Sequence, residues 1–111
     1  MEITPKQITA IREQRKLIIV WNDNMTCELT FSLLRNACPC AECRGGHENM
    51  GHGPDPVVFD LPEEDSPKTR MKSIVQTGTY GITIGWEDGH DFGIYNWEYL
   101  RDLCEGVLIR K

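Results

Sequence analysis

No apolar run in this sequence approaches the roughly 20 residues that a membrane-spanning helix requires. The opening residues, MEITPKQITA, contain an acidic side chain and lack the apolar core of a secretory leader. Basic charge is also scarce: 12 lysines and arginines face 17 aspartates and glutamates, for a formal net charge of −5. Nucleic-acid binding needs a concentrated basic patch. The two clusters present, Arg12-Glu13-Gln14-Arg15-Lys16 and Lys68-Thr69-Arg70-Met71-Lys72, are short and diluted, and read as solvated strand ends. These absences point away from membranes and nucleic acid and toward a cytoplasmic chain in a reducing compartment. In that setting five cysteines, an odd number, favour metal or redox chemistry over structural disulfides.

What is present is the composition of a globular chain, 40% hydrophobic and 26% charged. Its 111 residues suit a single domain, residues 1–111, able to bury a core with a thin margin of stability. One pattern occurs twice, first as LIIVWNDNMTCELTFSLLRNAC (Leu17 to Cys38) and again as GITIGWEDGHDFGIYNWEYLRDLC (Gly81 to Cys104). Trp21 matches Trp86, Asp23 matches Asp88, Asn24 matches Gly89 and Met25 matches His90. Phe31 matches Trp97, Arg35 matches Arg101 and Cys38 matches Cys104. The second copy is one residue longer between its Trp and its Arg.

Each copy opens with a β-branched run that reads as a strand. Asp23-Asn24 and Asp88-Gly89 suit the positive φ of a tight hairpin turn. Met25, Cys27, Leu29 and Phe31 alternate with polar residues as a half-buried return strand, and Phe92 and Ile94 begin a similar one. Thr30 or Ser32, and Asn96, are candidate N-caps for the helices that follow; the second helix is expected to end near Gly106. MKSIVQT adds a strand before the second hairpin, whereas QITAIRE fits either strand or helix. The expected fold is therefore α+β, with antiparallel β-sheet from two pseudo-repeated hairpin-plus-short-helix halves. A long irregular segment, about residues 44–68, joins them; it holds four of the six prolines, and VVFDL is its one candidate for order. Trp86 is assigned to the core.

Between the halves lies Cys38-Pro39-Cys40-Ala41-Glu42-Cys43, a C-x-C-x-x-C arrangement. Pro39 restricts the backbone there, and the turning chain can present three thiolates to one cation. Zinc takes four ligands in a tetrahedron, so one more is needed. His47 and His52 lie just downstream, His90 sits at the second hairpin tip, and Cys104 occupies the repeat position of Cys38. Cys27 reads as a small buried hydrophobe. From spacing alone His47 is the easy choice, because C-x-x-x-H is a common finger spacing; against it, His47 and His52 sit among Gly45, Gly46, Gly51 and Gly53, where fixing a ligand costs more backbone entropy than at a rigid hairpin tip. If the halves pack about a pseudo-twofold axis, the His90 tip lies beside the end of the first helix. The symmetric place would then pair Met25 with Cys104 as packing.

LRNACPCAECR together with YGITIGWEDGHDFGIYNWEYLRDLC resembles the gamma-butyrobetaine hydroxylase-like N-terminal domain family, over about Pro5 to Cys104. Such domains begin gamma-butyrobetaine and trimethyllysine dioxygenases, occur alone as small bacterial proteins of unknown function, and are appended to some Mrp-type P-loop iron–sulfur scaffolds. The resemblance implies a zinc site formed by Cys38, Cys40, Cys43 and His90. This chain departs from the pattern in its glycine-rich linker, RGGHENMGHGPDP, with two added histidines.

Hydroxylase chemistry is not expected. A non-haem iron oxygenase needs two histidines and a carboxylate, and neither His90-Asp91-Phe92, His47-Glu48-Asn49 nor His52-Gly53-Pro54 carries its usual His-x-Asp or His-x-Glu signature. A closed Cys₃His site leaves no position for substrate and is structural. The expected function is a zinc-binding accessory or protein-interaction module without catalytic activity, its partner a protein. The alternative is an iron–sulfur cluster assembly or carrier role, with Cys104 or a histidine completing the cluster ligands. A thiol redox role is weaker, because the C-x-C lacks a helix N-terminus to lower a thiol pKa.

Overall fold

A computed structural model describes residues 2–39, 54, 56–91 and 93–110. The chain forms strands β1 (Pro5–Ile11), β2 (Lys16–Trp21) and β3 (Thr26–Thr30), then helix α1 (Phe31–Asn36). Strands β4 (Met71–Thr77), β5 (Gly81–Trp86) and β6 (Ile94–Asn96) follow, and helix α2 (Trp97–Ile109) ends the fold. Each half is thus β-β-β-α, and QITAIRE contributes to a strand. The antiparallel β-sheet is divided between the halves as two separate three-stranded sheets, β1-β2-β3 and β4-β5-β6.

The hairpins repeat in detail. Asn24 has φ 71° and Gly89 has φ 92°. Asn24 N–H donates to Trp21 O at 2.9 Å, and Gly89 N–H donates to Trp86 O at 3.0 Å. Asp23 Oδ1 accepts from the Met25 amide, and Asp88 Oδ1 accepts from the His90 amide, at 3.2 and 3.0 Å. An Asp side chain two residues ahead of an amide holds such a turn closed. Both expected caps are present: Thr30 accepts from the Leu33 amide and Asn96 from the Tyr99 amide. Ser32 is no cap. It is buried and exchanges hydrogen bonds with the backbone of Glu64.

The alternation of β2 puts Leu17, Ile19 and Trp21 inside, and β5 does the same with Ile82, Ile84 and Trp86. These six join Leu29, Phe31, Leu34, Tyr95, Leu100 and Leu103 in one core drawn from both halves. Phe31, the first residue of α1, packs edge-on against Trp86 of the other half at 6.3 Å between ring centres. Charges cross over in the same way. Arg35 of α1 pairs with Asp88 of the second hairpin at 3.1 Å, and Arg101 of α2 grips both carboxylate oxygens of Asp23 in the first, at 3.1 and 2.8 Å. Those hydrogen bonds hold the Asp23 and Asp88 carboxyls below the ordinary carboxylate range.

The expected end of the second helix is corrected. Helix α2 runs through Gly106 instead of ending there; a Cβ at that position would overlap the Phe59 ring, so the glycine serves close approach rather than capping. Among the described residues of the linker, VVFDL is ordered as expected, mostly within a 3₁₀ helix (Pro56–Asp60) with Val58 buried, and a second such turn spans Pro67–Thr69. The basic clusters lie at strand ends with Arg12, Glu13, Gln14, Lys68, Arg70 and Lys72 exposed, as expected; Arg12 donates to Lys72 O at 3.0 Å and Arg15 to Thr69 Oγ1 at 2.9 Å.

The cysteines outside the cluster lie in the core as expected, but they are also bonded to each other. Cys27 on β3 and Cys104 on α2 form a disulfide with their Cα atoms 5.7 Å apart. The argument against structural disulfides fails at this pair. Cys27 points into the core because it shares the inward face of β3 with Leu29, and α2 lies against β3.

Two outcomes test this packing. Replacing Cys27 and Cys104 by alanine opens a covalent loop with a sequence separation of 77 residues; the expected loss of unfolding free energy in urea is about 2–4 kcal/mol. Equal stability of the two chains, or free thiols at both positions in the purified native protein, would contradict the bond. For the Arg101–Asp23 pair, a depressed folded pKa means stabilisation that is complete above the unfolded value of 3.8 and lost as pH falls through the lower folded value. Asp23→Asn should thus be less stable than wild type at pH 7, with the difference vanishing in strong acid. A difference independent of pH would rule out the carboxylate as its source.

Candidate metal centre

Cys38 follows the last turn of α1. Its amide donates to Arg35 O at 3.1 Å, and the preceding Ala37 amide donates to Leu33 O at 2.9 Å. A helix end leaves carbonyls without intrahelical donors. Two are met from the other half: Tyr95 donates its hydroxyl to Leu34 O, and Tyr99 donates to Ala37 O at 2.6 Å. Both tyrosines are buried. The backbone leading into Cys38 is consequently held by residues more than 50 positions away.

His90 approaches from the second hairpin. Its carbonyl accepts from the Trp86 amide at 2.9 Å, and its own amide donates to Asp88. Asp88 also receives Arg35, three residues before Cys38, so one carboxylate fixes the hairpin tip and ties it to α1. Cys38 Sγ then lies 3.3 Å from His90 Nε2, with the sulfur buried. Zinc held tetrahedrally at about 2.3 Å from sulfur and about 2.0 Å from nitrogen separates two such ligand atoms by roughly 3.5 Å. The observed pair fits that spacing. A further observation concerns Gly93: a Cβ there would lie 2.7 Å from Cys38 Sγ and 3.3 Å from Pro39 Cδ, so the sulfur occupies room that only glycine leaves.

Of the expected ligands, Cys38 and His90 are brought together. Cys40 and Cys43 lie outside the described residues, as do the competing His47 and His52. Among the described residues no group of three or more His, Cys, Asp or Glu is arranged to hold a metal. Cys104 is engaged with Cys27. Sequence reasoning missed the support around the pair, Tyr95, Tyr99, Gly93 and the Arg35–Asp88 link. The repeat marked Arg35 and Asp88 but not that they meet each other across the halves.

The fold and this pair define an α+β pseudo-repeat domain in which a thiol from one half meets an imidazole from the other. The chain belongs to the gamma-butyrobetaine hydroxylase-like N-terminal family, whose model matches residues 8–101. It is similar to the crystal structure of a DUF971-family protein of unknown function from Acidithiobacillus ferrooxidans, with 30% identity, a TM-score of 0.62, and coverage of 89% of this chain and 90% of that one. Two NMR solution structures share the fold. One has TM-score 0.65 and 27% identity, covering 94% of this chain and 72% of its own; the other has 0.63 and 21%, covering 96% and 77%. No curated protein matches the chain.

Tyr99→Phe removes the donor from a buried carbonyl, an omission that costs about 1–3 kcal/mol. The expected result is that loss in urea unfolding. A variant as stable as wild type would show that the Ala37 carbonyl finds another donor.

Proposed function

We propose that this domain is a zinc-stabilised accessory module that engages a protein partner and has no catalytic activity of its own. The observation that carries the reading is the 3.3 Å approach of Cys38 Sγ to His90 Nε2 across the two halves. Cys38, Cys40, Cys43 and His90 would hold the metal. When bound, zinc supplies a covalent-like tie between the end of α1 and the tip of the second hairpin. Four protein ligands close the coordination shell, which suits structure rather than catalysis.

Several features support the rest of the reading. The net charge of −5 does not suit a nucleic-acid partner, and no helix among the described residues is long and apolar enough to cross a membrane. Val75 and Ile94 both stand opposite Thr83 on the second sheet and are exposed there, apolar surface of the sort that protein contacts cover. A cytoplasmic location remains part of the proposal. It requires the Cys27–Cys104 bond to survive in a reducing compartment, which its burial favours by denying access to attacking thiolates.

Metal analysis of the purified chain tests the proposal. The expected protein is colourless with about one zinc per chain, and a chelator that strips the metal lowers the melting temperature. His90→Ala should lose zinc affinity, whereas the His47→Ala/His52→Ala double variant should keep it. The reverse pattern would move the fourth ligand into the linker. A brown protein with visible absorption would replace zinc by an iron–sulfur cluster.

A further inference from the structure

The disulfide and the candidate metal centre occupy the same place in the two copies of the repeat. The strand ladders show the correspondence. In the first half Lys16, Leu17 and Ile18 pair with Thr30, Leu29 and Glu28; in the second, Gly81, Ile82 and Thr83 pair with Asn96, Tyr95 and Ile94. One residue earlier on each return segment stands Cys27 in the first half and Gly93 in the second. Cys104, within α2, and Cys38, just after α1, hold matching positions in the repeat. The first half's return strand thus presents a thiol to the cysteine of α2. The second half presents bare backbone to the cysteine after α1.

Gly93 supplies that bare backbone. It is buried. What a side chain there would meet is the Cys38 sulfur, 2.7 Å from the Cβ position. That is close to the roughly 3 Å between a Cβ and the partner sulfur in a disulfide of ordinary bond length.

We propose that Gly93 is the positioning residue that commits Cys38 to the metal: by presenting no side chain, it keeps the Cys38 thiol out of the cross-link that its counterpart Cys104 makes with Cys27, and leaves the sulfur aimed at His90. The inference rests on the zinc reading above, and it assigns the choice between metal thiolate and disulfide to one small residue that is itself no ligand.

The test uses the full chain with Gly93→Ala and Gly93→Cys. Gly93→Ala should keep the circular dichroism spectrum of wild type and bind zinc about 10–100-fold more weakly, the size of effect that outer-shell changes have on metal affinity. Gly93→Cys, freed of metal and treated with oxidised glutathione, should capture Cys38. The two thiols give up two protons and two electrons as the S–S bond forms, and glutathione disulfide takes them up and leaves as two glutathione molecules. The product is read as a mass two hydrogens lower than the untreated variant and as a cross-linked peptide joining positions 38 and 93. Absence of zinc from wild type overturns the metal reading, whatever the cross-link does. Equal zinc affinity in wild type and Gly93→Ala leaves that reading standing and overturns this inference, as does a folded Gly93→Cys chain that forms no 38–93 link. If Gly93→Ala does not fold, the cross-link decides.

Discussion

Neither half of this chain completes its own core, and the crossing of one half onto the other is the constraint on which the structure depends. Trp21 and Trp86 are buried in a single cluster that also takes the inner faces of both helices. The driving term is burial of these large apolar surfaces. The crossed pairs, Arg35 with Asp88 and Arg101 with Asp23, lie at the edge of this core and contribute less than its burial. They act instead as directional contacts, fixing which hairpin tip lies beside which helix end.

That arrangement creates two equivalent junctions, each with a cysteine at a helical segment and a return strand passing beside it. In one the strand carries Cys27, and the sulfurs are bonded. In the other it carries Gly93, and the sulfur faces an imidazole. Small differences in side-chain volume at equivalent positions therefore separate a covalent staple within the core from a centre at its edge. Both link residues far apart in sequence, which matters for a domain whose size leaves little surplus apolar burial.

The hydroxyls of Tyr95 and Tyr99 show how the second half prepares the site in the first. A helix as short as α1 gains little from its own hydrogen bonds, and its last carbonyls need donors from elsewhere. Supplying them from β6 and α2 places Cys38 through contacts with the other half. The support is internal to the core, so it is present before any metal arrives.

Much of the fold was legible in the sequence because it rests on local chemistry. Alternation in β2 and β5, Asn24 and Gly89 at the turns, and Thr30 and Asn96 as caps depend on near neighbours, and each is where that chemistry puts it. The repeat located Cys38 and His90 at matching landmarks, and the family resemblance joined them into one site. Less legible was everything set by distance through space. Gly106 has the composition of a helix stop, yet the helix continues because the Phe59 ring needs the gap. Cys27 reads as an ordinary apolar residue until α2 brings Cys104 against β3. Residue types and spacing determined which elements form and where the hairpins turn; only the packing of one half on the other decided the sheet count and the sulfur partners, because those depend on which surfaces meet, and no local pattern records that.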